Sequence, residues 1–492
     1  MGRECVCSRT MKLRERTTCS DCERSAKRLA KLESQLAKSL TRIDELEKQN
    51  AKLEEQLAKA SKNSSTSSKP PSSDIVKPAK KPPKGRKKRK RGGQPGHARH
   101  LRPRFPPEAV DEFFTYTLGC CPDCGYKLLP SRKKAPKIIQ QIEIEETPTH
   151  IEEHQGLAYW CPHCRKFHYA PIPAALVKAG LAGPRLTALV AFMKGVCHAS
   201  FSTIRKFLRD VVGVTICRGQ LAKLIAKVSE SLAAAYAELF ERLPGEAVLN
   251  IDETGHKDRG DRFWTWCFRA QLYTLFKIDK SRGSKVLVEV LGKEFNGVLG
   301  CDYFGAYRKY MREFGALVQF CMAHLIRDVK FLITLADKKQ KAYGRRVRKA
   351  LKELFGVIHR RDEMTAKAFH KSLEAARENV LKAATTRVPE GNHAQNLANR
   401  FHKHGEAYFQ FITTPGVEPT NNLAEQAIRF VVIDRRITQG TRGETGQRWC
   451  ERIWTVIATC VQQGRSVFDF LYAAVLAHFN DTQSPSLMPS GP

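Results

Sequence analysis

The feature that most constrains the fold is a succession of short apolar segments that begins after Gly245 and is interrupted by acidic residues. Asp252 closes the segment AVLNID and Asp302 closes GVLGCD, whereas Glu425 lies in the polar, helix-like stretch NNLAEQAIR. Several of the apolar segments are too short, and too rich in β-branched and aromatic residues, to be helices. The pattern therefore predicts a sheet that carries two carboxylates at strand ends and receives a third from a helix.

The apolar segments predict the order of the sheet. The expected strands are VLNIDET, FWTWCFRA, LYTLFKI, KVLVEVLG, GVLGCDYF and ALVQFCMAH. The first three are expected to be antiparallel neighbours, and the later ones to alternate with helices. This order, with its carboxylates, resembles the ribonuclease-H-like fold. The expected fold class is thus multidomain α+β, with a ribonuclease-H-like α/β catalytic core at residues 245–475 and a helical insertion at about 325–411.

The three acidic residues form a candidate metal site. Mg²⁺ prefers oxygen ligands and keeps several waters, so a few carboxylates plus substrate phosphate usually hold it. Asp252, Asp302 and Glu425 would suffice for two Mg²⁺ (or Mn²⁺) ions, the arrangement used in two-metal phosphodiester chemistry. Each Asp also has a purely structural interpretation, because Asp often binds its own backbone where a strand enters a turn. The sequence leaves both interpretations open.

The charge of the chain indicates a polyanionic partner. The formal net charge is +34 at pH 7, and such a surface favours nucleic acid, here double-stranded DNA. An anionic membrane is the rival partner, but the sequence has no amphipathic basic helix, lipidation signal, apolar span or signal peptide. We therefore expect no membrane partner and a cytoplasmic protein, nucleoid-associated when bound to DNA. In a reducing compartment its 16 cysteines are expected to be thiols or metal ligands.

The N-terminal region predicts a coiled coil at residues 24–60, after a Cys-containing segment at 1–23. Apolar positions alternate three and four residues apart, as the a and d positions of heptads do. They are Leu29, Leu32, Leu36, Ser39, Ile43, Leu46, Asn50, Leu53, Leu57 and Ala60. Asn50 falls at an a position, where a buried Asn fixes register and strand number. Self-association is expected, and a lone amphipathic helix is the alternative. Upstream, Cys5, Cys7, Cys19 and Cys22 are a weak zinc signal.

Residues 61–104 are expected to form a disordered basic linker. Between Lys77 and Arg104 there are thirteen basic residues and no acidic one, so the segment cannot bury a core. Its basic centre, which includes Lys87, Lys88 and Arg89, is expected to add DNA affinity that depends on salt. A simple solvated linker is the compatible alternative. A second disordered segment, a tail, is expected at residues 476–492.

Two Cys-x-x-Cys pairs predict a zinc ribbon at residues 105–175. Cys121 and Cys124 form the first pair, and Cys161 and Cys164 form the second. Four thiolates on two tight turns match a closed tetrahedral site for one structural Zn²⁺. The alternative is a set of unpaired thiols that bind nothing.

A helix-turn-helix is expected within a helical region at residues 180–240. PRLTALVAFMKGV starts with Pro, SFSTIRKFLRDVV starts with a Ser cap, and a further helix is expected near Arg218 after a turn at Gly213. In this interpretation Arg218, Gln220 and Lys223 face the major groove, whereas Arg205 and Lys206 lie near phosphates. A plain helical linker with an apolar core side explains the same pattern.

Several motifs in one order resemble a known family. IDETG, CDYFGAY, CMAH and NNLAEQAIR, preceded by RGGQPGH and the two cysteine pairs, resemble transposases of the insertion sequence 66 family over about residues 91–472. The resemblance implies a DDE transposase whose catalytic triad is Asp252, Asp302 and Glu425. Such an enzyme nicks the ends of an insertion sequence and joins the 3′-OH ends to target DNA by two-metal phosphoryl transfer. The family also implies accessory transposition proteins as partners.

Residues around the triad are candidates for supporting roles. Asn421 and Asn422 lie on the same helical side as Glu425 and are expected to position it or a metal-bound water. Arg429 is expected to hold a phosphate or pair with Glu425, and a structural salt bridge is its alternative. His324 follows a strand close to the carboxylates, but a hydrogen-bonded core histidine is an equal interpretation.

Further basic residues follow the third acid: Arg435, Arg436, Arg442 and Arg448. They resemble a DNA-contacting surface, with a solvated basic face as the alternative. Two rival functions remain open. One is a catalytically retired DNA-binding protein of transposon origin, and the other is a structure-selective nuclease on the same fold.

Overall fold

The computed structural model describes residues 20–62, 66, 106–110, 113, 123, 124, 126, 127, 148–161 and 166–489. The basic linker residues Lys87, Lys88 and Arg89 lie outside the described residues. The chain divides into two compact units. The first, here called the sheet unit, comprises residues 1–76, 232–466 and 486–492, and the second, the helical unit, comprises residues 77–231 and 467–485.

The helices, in chain order, are α1 (Ser20–Ala60), α2 (Ala174–Ala179), α3 (Pro184–Gly195), α4 (Phe201–Asp210), α5 (Arg218–Ser231), α6 (Ala233–Arg242), α7 (Lys285–Leu291), α8 (Gly305–Phe314), α9 (Met322–Thr334), α10 (Lys338–Ile358), α11 (Ala366–Thr385), α12 (Asn392–His404), α13 (Gln410–Thr413), α14 (Asn422–Thr438), α15 (Glu444–Gln463) and α16 (Val467–Phe479). The strands are β1 (Ala158–Cys161), β2 (Lys166–Tyr169), β3 (Val248–Asp258), β4 (Asp261–Arg269), β5 (Thr274–Asp279), β6 (Val298–Cys301) and β7 (Leu317–Phe320). The architecture is mixed α+β.

The core of the sheet unit is a five-stranded mixed sheet in the order β5-β4-β3-β6-β7. β3, β4 and β5 are antiparallel neighbours, whereas β6 lies parallel to β3, and β7 lies parallel to β6. The first three strands are thus antiparallel, as the sequence predicted. β5 is almost wholly buried and β4 is buried over most of its second half, and α15 packs against β5.

One predicted strand is a helix. The segment KVLVEVLG forms α7, and its buried residues are Val286, Leu287, Val290 and Leu291. This spacing places the four side chains on one face of a helix. The β-branched residues suit a strand only when their neighbours are strands, and here one-sided burial outweighs that preference. Gly292, with φ 77°, ends α7 in a conformation that favours glycine.

The segment predicted as a helical insertion contains α9 to α13. In it, α10 packs against both α9 and α11. Asp328 on α9 pairs with Arg400 on α12 at 2.9 Å. This ion pair gives Asp328 a structural partner within the insertion.

The helical unit is built around α3, which packs against α5 and α16. The hydroxyl of Ser200 caps α4 by accepting a 3.0 Å hydrogen bond from the backbone N–H of Thr203, as expected of a Ser cap. Gly213, with φ 75°, lies in the turn between α4 and α5. The helix start at Arg218 coincides with the position that the sequence indicated.

The C-terminal residues differ from the predicted disordered tail. Residues 476–479 complete α16, and the side chain of Leu487 is fully buried. The Gln463 side chain donates a 2.8 Å hydrogen bond to the Leu487 carbonyl. These tertiary contacts hold a short polar segment that the sequence alone does not distinguish from a tail.

The expectation that no apolar run reaches the length of a membrane span is wrong by composition, because residues Ala174–Gly195 are long and apolar enough to cross a membrane. A turn at residues 180–183 splits this stretch into α2 and α3. Within the helical unit, α3 packs against α5 and α16.

The N-terminal helix α1 spans 41 residues, about 60 Å at 1.5 Å per residue. Its heptad leucines are exposed, from Leu46 at 44% to Leu57 at 71%. The single chain therefore contains the helix that the predicted coiled coil needs, and the apolar stripe of this helix is exposed.

Candidate active site

Asp252 lies on β3, and Asp302 directly follows β6, the parallel neighbour of β3. The register pairs Val248 with Val298 and Asn250 with Gly300, so its continuation brings Asp252 level with Asp302. A Cβ at Gly300 would lie 2.6 Å from Oδ1 of Asn250, so a larger residue here would displace the Asn250 side chain. The sequence predicted that Asp252 ends its strand. This prediction is wrong, because β3 continues beyond Asp252 in the hairpin with β4. Only the parallel pairing with β6 ends before it.

Both aspartates also make the local backbone bonds that a turn residue makes. Oδ1 of Asp302 accepts a 2.9 Å hydrogen bond from the N–H of Phe304, and Oδ1 of Asp252 accepts one of 2.9 Å from the N–H of Glu253. The structural and functional interpretations of these residues are therefore compatible. Each bond fixes a carboxylate with respect to its strand.

The pKa values reflect the convergence of the acids. Burial raises the pKa of Asp252 well above its ordinary value, and the charges of Glu253, Asp302 and Glu425 raise it further. Burial also raises the pKa of Asp302. Since charge interactions fall with distance, the effect of Asp302 and Glu425 on the pKa of Asp252 indicates that the three carboxylates lie near one another.

Asn421 brings Glu425 to the two aspartates. Its side-chain amide donates a 2.7 Å hydrogen bond to the carbonyl of Ile251, and its backbone N–H donates to Sγ of Cys321 at 3.1 Å. The Asn421 carbonyl in turn accepts the N–H of Glu425 at 3.2 Å. Asn421 is only 2% exposed. The start of α14 is thereby fixed against β3 next to Asp252, with Glu425 one turn further on.

His324 and Arg327, on the first turns of α9, flank Glu425. Nδ1 of His324 lies 3.6 Å from Oε1 of Glu425, and a guanidinium nitrogen of Arg327 lies 3.5 Å from Oε2. Burial lowers the pKa of His324, although the charge of Glu425 opposes this effect. Arg429, which the sequence offered as a partner of Glu425, is exposed, as is Asn422.

Buried polar atoms without hydrogen-bond partners among the described residues converge here. They include Oε1 of Glu425, Nδ1 of His324 and Oδ1 of Asn421. Ligand atoms of Cys321, His324 and Glu425 lie within 4.8 Å of one another. A thiol must lose its proton to bind a metal, yet burial raises the pKa of Cys321 and its Sγ already accepts the Asn421 N–H. The carboxylate oxygens therefore fit a hard divalent cation such as Mg²⁺ better than the thiol fits a soft one.

A buried ion pair beneath the site involves Glu253, which the sequence analysis did not single out. Arg282 contacts Oε1 of Glu253 at 2.7 Å, and Tyr307 donates to Oε2 at 2.5 Å. The Arg282 guanidinium lies 3.9 Å from the centroid of Phe304. Burial and the charge of Asp302 raise the pKa of Glu253 to about 7, although Tyr307 and Arg282 oppose the shift. The acidic residue Glu253 in the motif IDETG was the only sequence signal for this ion pair. Because side chains alternate along a strand, Glu253 points to the opposite face of the sheet from Asp252.

The candidate zinc ligands fall mostly outside the described residues. Cys121 and Cys164 are among those not described. Cys124 is exposed as a free thiol. Cys161 is the last residue of β1, in a hairpin with β2, so the second Cys-x-x-Cys pair begins where a strand ends.

The candidate DNA-reading residues lie on α4 and α5. Arg205, Lys206 and Lys223 are exposed, and Gln220 is half-buried. Arg218 donates a 2.6 Å hydrogen bond to the hydroxyl of Ser202, which links the first turn of α5 to α4.

A family model described as Transposase IS66 family matches residues 179–448, more than half of the 492 residues. The chain belongs to this family. The match includes all three acids of the site together with Asn421 and His324. For this IS66-family protein, membership implies a transposase-type enzyme that binds DNA and uses a divalent metal.

A second family model, described as a family of unknown function (DUF6444), matches residues 10–103. This match covers α1 and the basic segment of the IS66-family protein, so the two matches together span most of the chain. A comparison with curated proteins found no match.

Proposed function

We propose that this IS66-family protein is a DDE transposase that nicks the ends of an insertion sequence and joins the 3′-OH ends to target DNA. The catalytic residues are Asp252, Asp302 and Glu425. The observation that carries the proposal is their convergence: one acid on β3, a second directly after the parallel strand β6, and a third on α14, whose start is hydrogen-bonded to β3. The strand order β5-β4-β3-β6-β7 supports a ribonuclease-H-like core.

The three carboxylates would hold two divalent cations, Mg²⁺ or Mn²⁺. When bound, the cations would activate the attacking water or 3′-hydroxyl and stabilise the leaving oxygen of an in-line displacement. The protein contributes position: Asn421 fixes Glu425 relative to Asp252, and the backbone N–H of Phe304 orients Asp302. His324 and Arg327 hold Glu425 in place and screen its charge from the two aspartates.

The remaining parts of the proposal concern DNA and assembly. A zinc ribbon held by Cys121, Cys124, Cys161 and Cys164 and a helix-turn-helix in α4 and α5 would bind the element ends. Self-association through α1 would bring two ends together, and accessory proteins would join the assembly. The location would be cytoplasmic, on the nucleoid when bound to DNA.

The proposal is tested by incubating the protein with the flanking ends of its encoding locus and Mg²⁺ or Mn²⁺, mapping nicks and joined products. Asp252→Asn, Asp302→Asn and Glu425→Gln should each reduce both products about a thousandfold, since metal stabilisation of the transition state is worth several kcal/mol. Asp362→Asn, at an exposed residue, is the matched control and should act as wild type.

Each other outcome identifies a rival. Variants that join ends as well as wild type would refute the proposed triad. Cleavage without joining, even from a supplied pre-cut 3′ end, would indicate a structure-selective nuclease. Binding of the ends with neither product would indicate a catalytically retired DNA-binding protein.

A further inference from the structure

A large basic cavity lies between the β3–β4 hairpin and the connection from α14 to α15. Its volume is about 1070 Å³, and its lining includes Lys257, Arg259, Arg262, Arg435 and Arg442 but no acidic residue. Among the described residues, none of these five side chains forms an ion pair with a carboxylate within 4.0 Å. Five unneutralised cations around one concave surface favour an anionic ligand.

The walls of the cavity are held together by backbone bonds. Thr441 donates its N–H to the carbonyl of Lys257 at 2.9 Å, and its own carbonyl accepts the N–H of Arg259 at 3.0 Å. A Cβ at Gly440 would lie 2.1 Å from the Lys257 carbonyl oxygen, so only glycine permits this approach. The cavity is therefore preformed, which reduces the entropy lost when a ligand binds.

Arg259 occupies a position that arginine rarely takes. It has φ 50° and precedes Gly260, with φ 94°, in the two-residue turn between the paired residues Asp258 and Asp261. Such turns favour Asn or Asp followed by Gly. An arginine in left-handed conformation at this turn is strained, and strain of this kind concentrates at functional positions.

His256 supplies a second, independent indication of a ligand. It lines the cavity, is 2% exposed, and its Nδ1 has no hydrogen-bond partner among the described residues. The Thr441 hydroxyl donates to Asp258 at 2.7 Å and lies 3.0 Å from Nε2 of His256, so Nε2 carries the proton and Nδ1 is an acceptor. A ligand with anionic groups and N–H donors satisfies both features, and a nucleic-acid strand has both.

The cavity adjoins the proposed catalytic site along two shared elements. On β3, Gly255 lies about 10 Å beyond Asp252 at 3.3 to 3.4 Å per residue. On α14, Arg435 lies about 15 Å beyond Glu425 at 1.5 Å per residue. Arg435 also donates to the hydroxyl of Thr254 at 3.0 Å, which joins the two elements. These distances correspond to about three to four nucleotides of a DNA strand at 3.4 Å each.

We propose that this cavity binds the DNA strand about three to four nucleotides from the scissile phosphodiester, with backbone phosphates on its arginines and a base N–H group donated to Nδ1 of His256. The position of the scissile bond in this inference rests on the proposed function. The phosphates on one side of that bond would contact Arg259, Arg262, Arg435 and Arg442. Arg435 is half-buried and lies beside Arg436. A phosphate would neutralise this charge where no carboxylate does.

The test measures DNA affinity in EDTA, where no cleavage occurs, using fluorescence anisotropy of an end-containing duplex over a range of salt concentrations. The double variant Arg259→Gln/Arg442→Gln should bind about tenfold more weakly per arginine removed. Its slope of log affinity against log salt should fall by about two. The control is Arg345→Gln/Arg348→Gln, which removes the same charge from exposed positions on α10. Equal losses in the two double variants would overturn the proposal.

A change on the DNA side removes any dependence on folding of the variants. A single methylphosphonate neutralises one phosphate of the DNA. Placed about three to four nucleotides from the nick, it should weaken binding by the wild-type protein. Placed twice as far from the nick on the same strand, it should have no effect. The double variant should lose this interference. Interference with no nick under Mg²⁺ would retain the cavity as a DNA site and refute the chemistry, whereas nicks with no interference there would refute the cavity alone.

Discussion

The side-chain amide of Asn421 donates a 2.7 Å hydrogen bond to the carbonyl of Ile251, the residue before Asp252. This single bond links the helix that carries Glu425 to the strand that carries Asp252, across about 170 residues of chain. Because Asn421 is buried, the bond is shielded from water and competing donors. It is therefore the contact on which the geometry of the three carboxylates most depends.

Substitution of Asn421 should show how far strand transfer depends on the position of Glu425 relative to Asp252. Asn421→Asp keeps the shape but removes the donor, and should lower the free energy of unfolding by about 1 to 3 kcal/mol because the Ile251 carbonyl loses its partner. Strand transfer should fall about 100-fold, since a displacement of about 1 Å has that effect. Asn422→Ala, at the exposed neighbour, should change stability by less than about 0.5 kcal/mol. Urea unfolding and product yield are the measurements, and equal behaviour of the two variants would contradict the anchoring role.

Divalent metal should stabilise the protein only when the acids are intact. The buried carboxylates repel one another in the absence of metal, so Asp252→Asn should raise the melting temperature of the metal-free protein. Mg²⁺ at 100 times its Kd should stabilise wild type by about 2.7 kcal/mol but leave Asp252→Asn almost unchanged. Thermal melts with Mg²⁺ and with EDTA measure both effects. An equal response of Asp362→Asn and Asp252→Asn would exclude Asp252 as a ligand.

His256 should make stability depend on pH in the acid range. Burial and, after it, the charge of Arg435 on α14 lower the pKa of His256 from 6.5 to about 4, and the charge of Asp258 opposes the shift. Between these values the unfolded chain binds a proton that the folded chain does not, so stability falls as pH falls from about 6.5 to 4. The full contribution is about 3 kcal/mol. His256→Gln keeps a donor for Thr441 but does not titrate, so the difference between the two unfolding curves should shrink below pH 6.5. Parallel curves would contradict the buried neutral imidazole.

The exposed stripe of α1 should mediate self-association. Leu36→Glu/Ile43→Glu places charges at two a positions and should convert an oligomer to a monomer in light scattering at micromolar concentration. Ala37→Glu/Thr41→Glu, on the outer face of the same helix, adds the same charge and should leave the mass unchanged. A wild-type protein that is monomeric at all concentrations would refute the coiled coil.

Local sequence patterns determined many of the helices and strands of this protein. The short apolar segments VLNIDET, FWTWCFRA and LYTLFKI form antiparallel strands, and α4 and α5 begin where Ser200 and Arg218 indicate, because alternation and capping are properties of neighbouring residues. The motifs IDETG and NNLAEQAIR likewise contain Asp252 and Glu425, two acids of the proposed triad, because the chemistry of a side chain depends only on the residue itself. The segment KVLVEVLG misled, because burial on one face overrode the preference of valine for strands, and so did the position of Asp252 and the predicted disordered tail.

The tertiary structure alone decided which groups meet. No local pattern relates Asn421 to Ile251, Glu253 to Arg282, or Arg442 to the β3–β4 hairpin, because these contacts depend on strand register and on how distant helices pack. The same holds for the pKa of Asp252, which is set by burial and by charges far away in the chain. The sequence supplied the acids and the basic residues, and the fold determined that the acids lie close enough for their charges to interact and that the basic residues enclose a cavity.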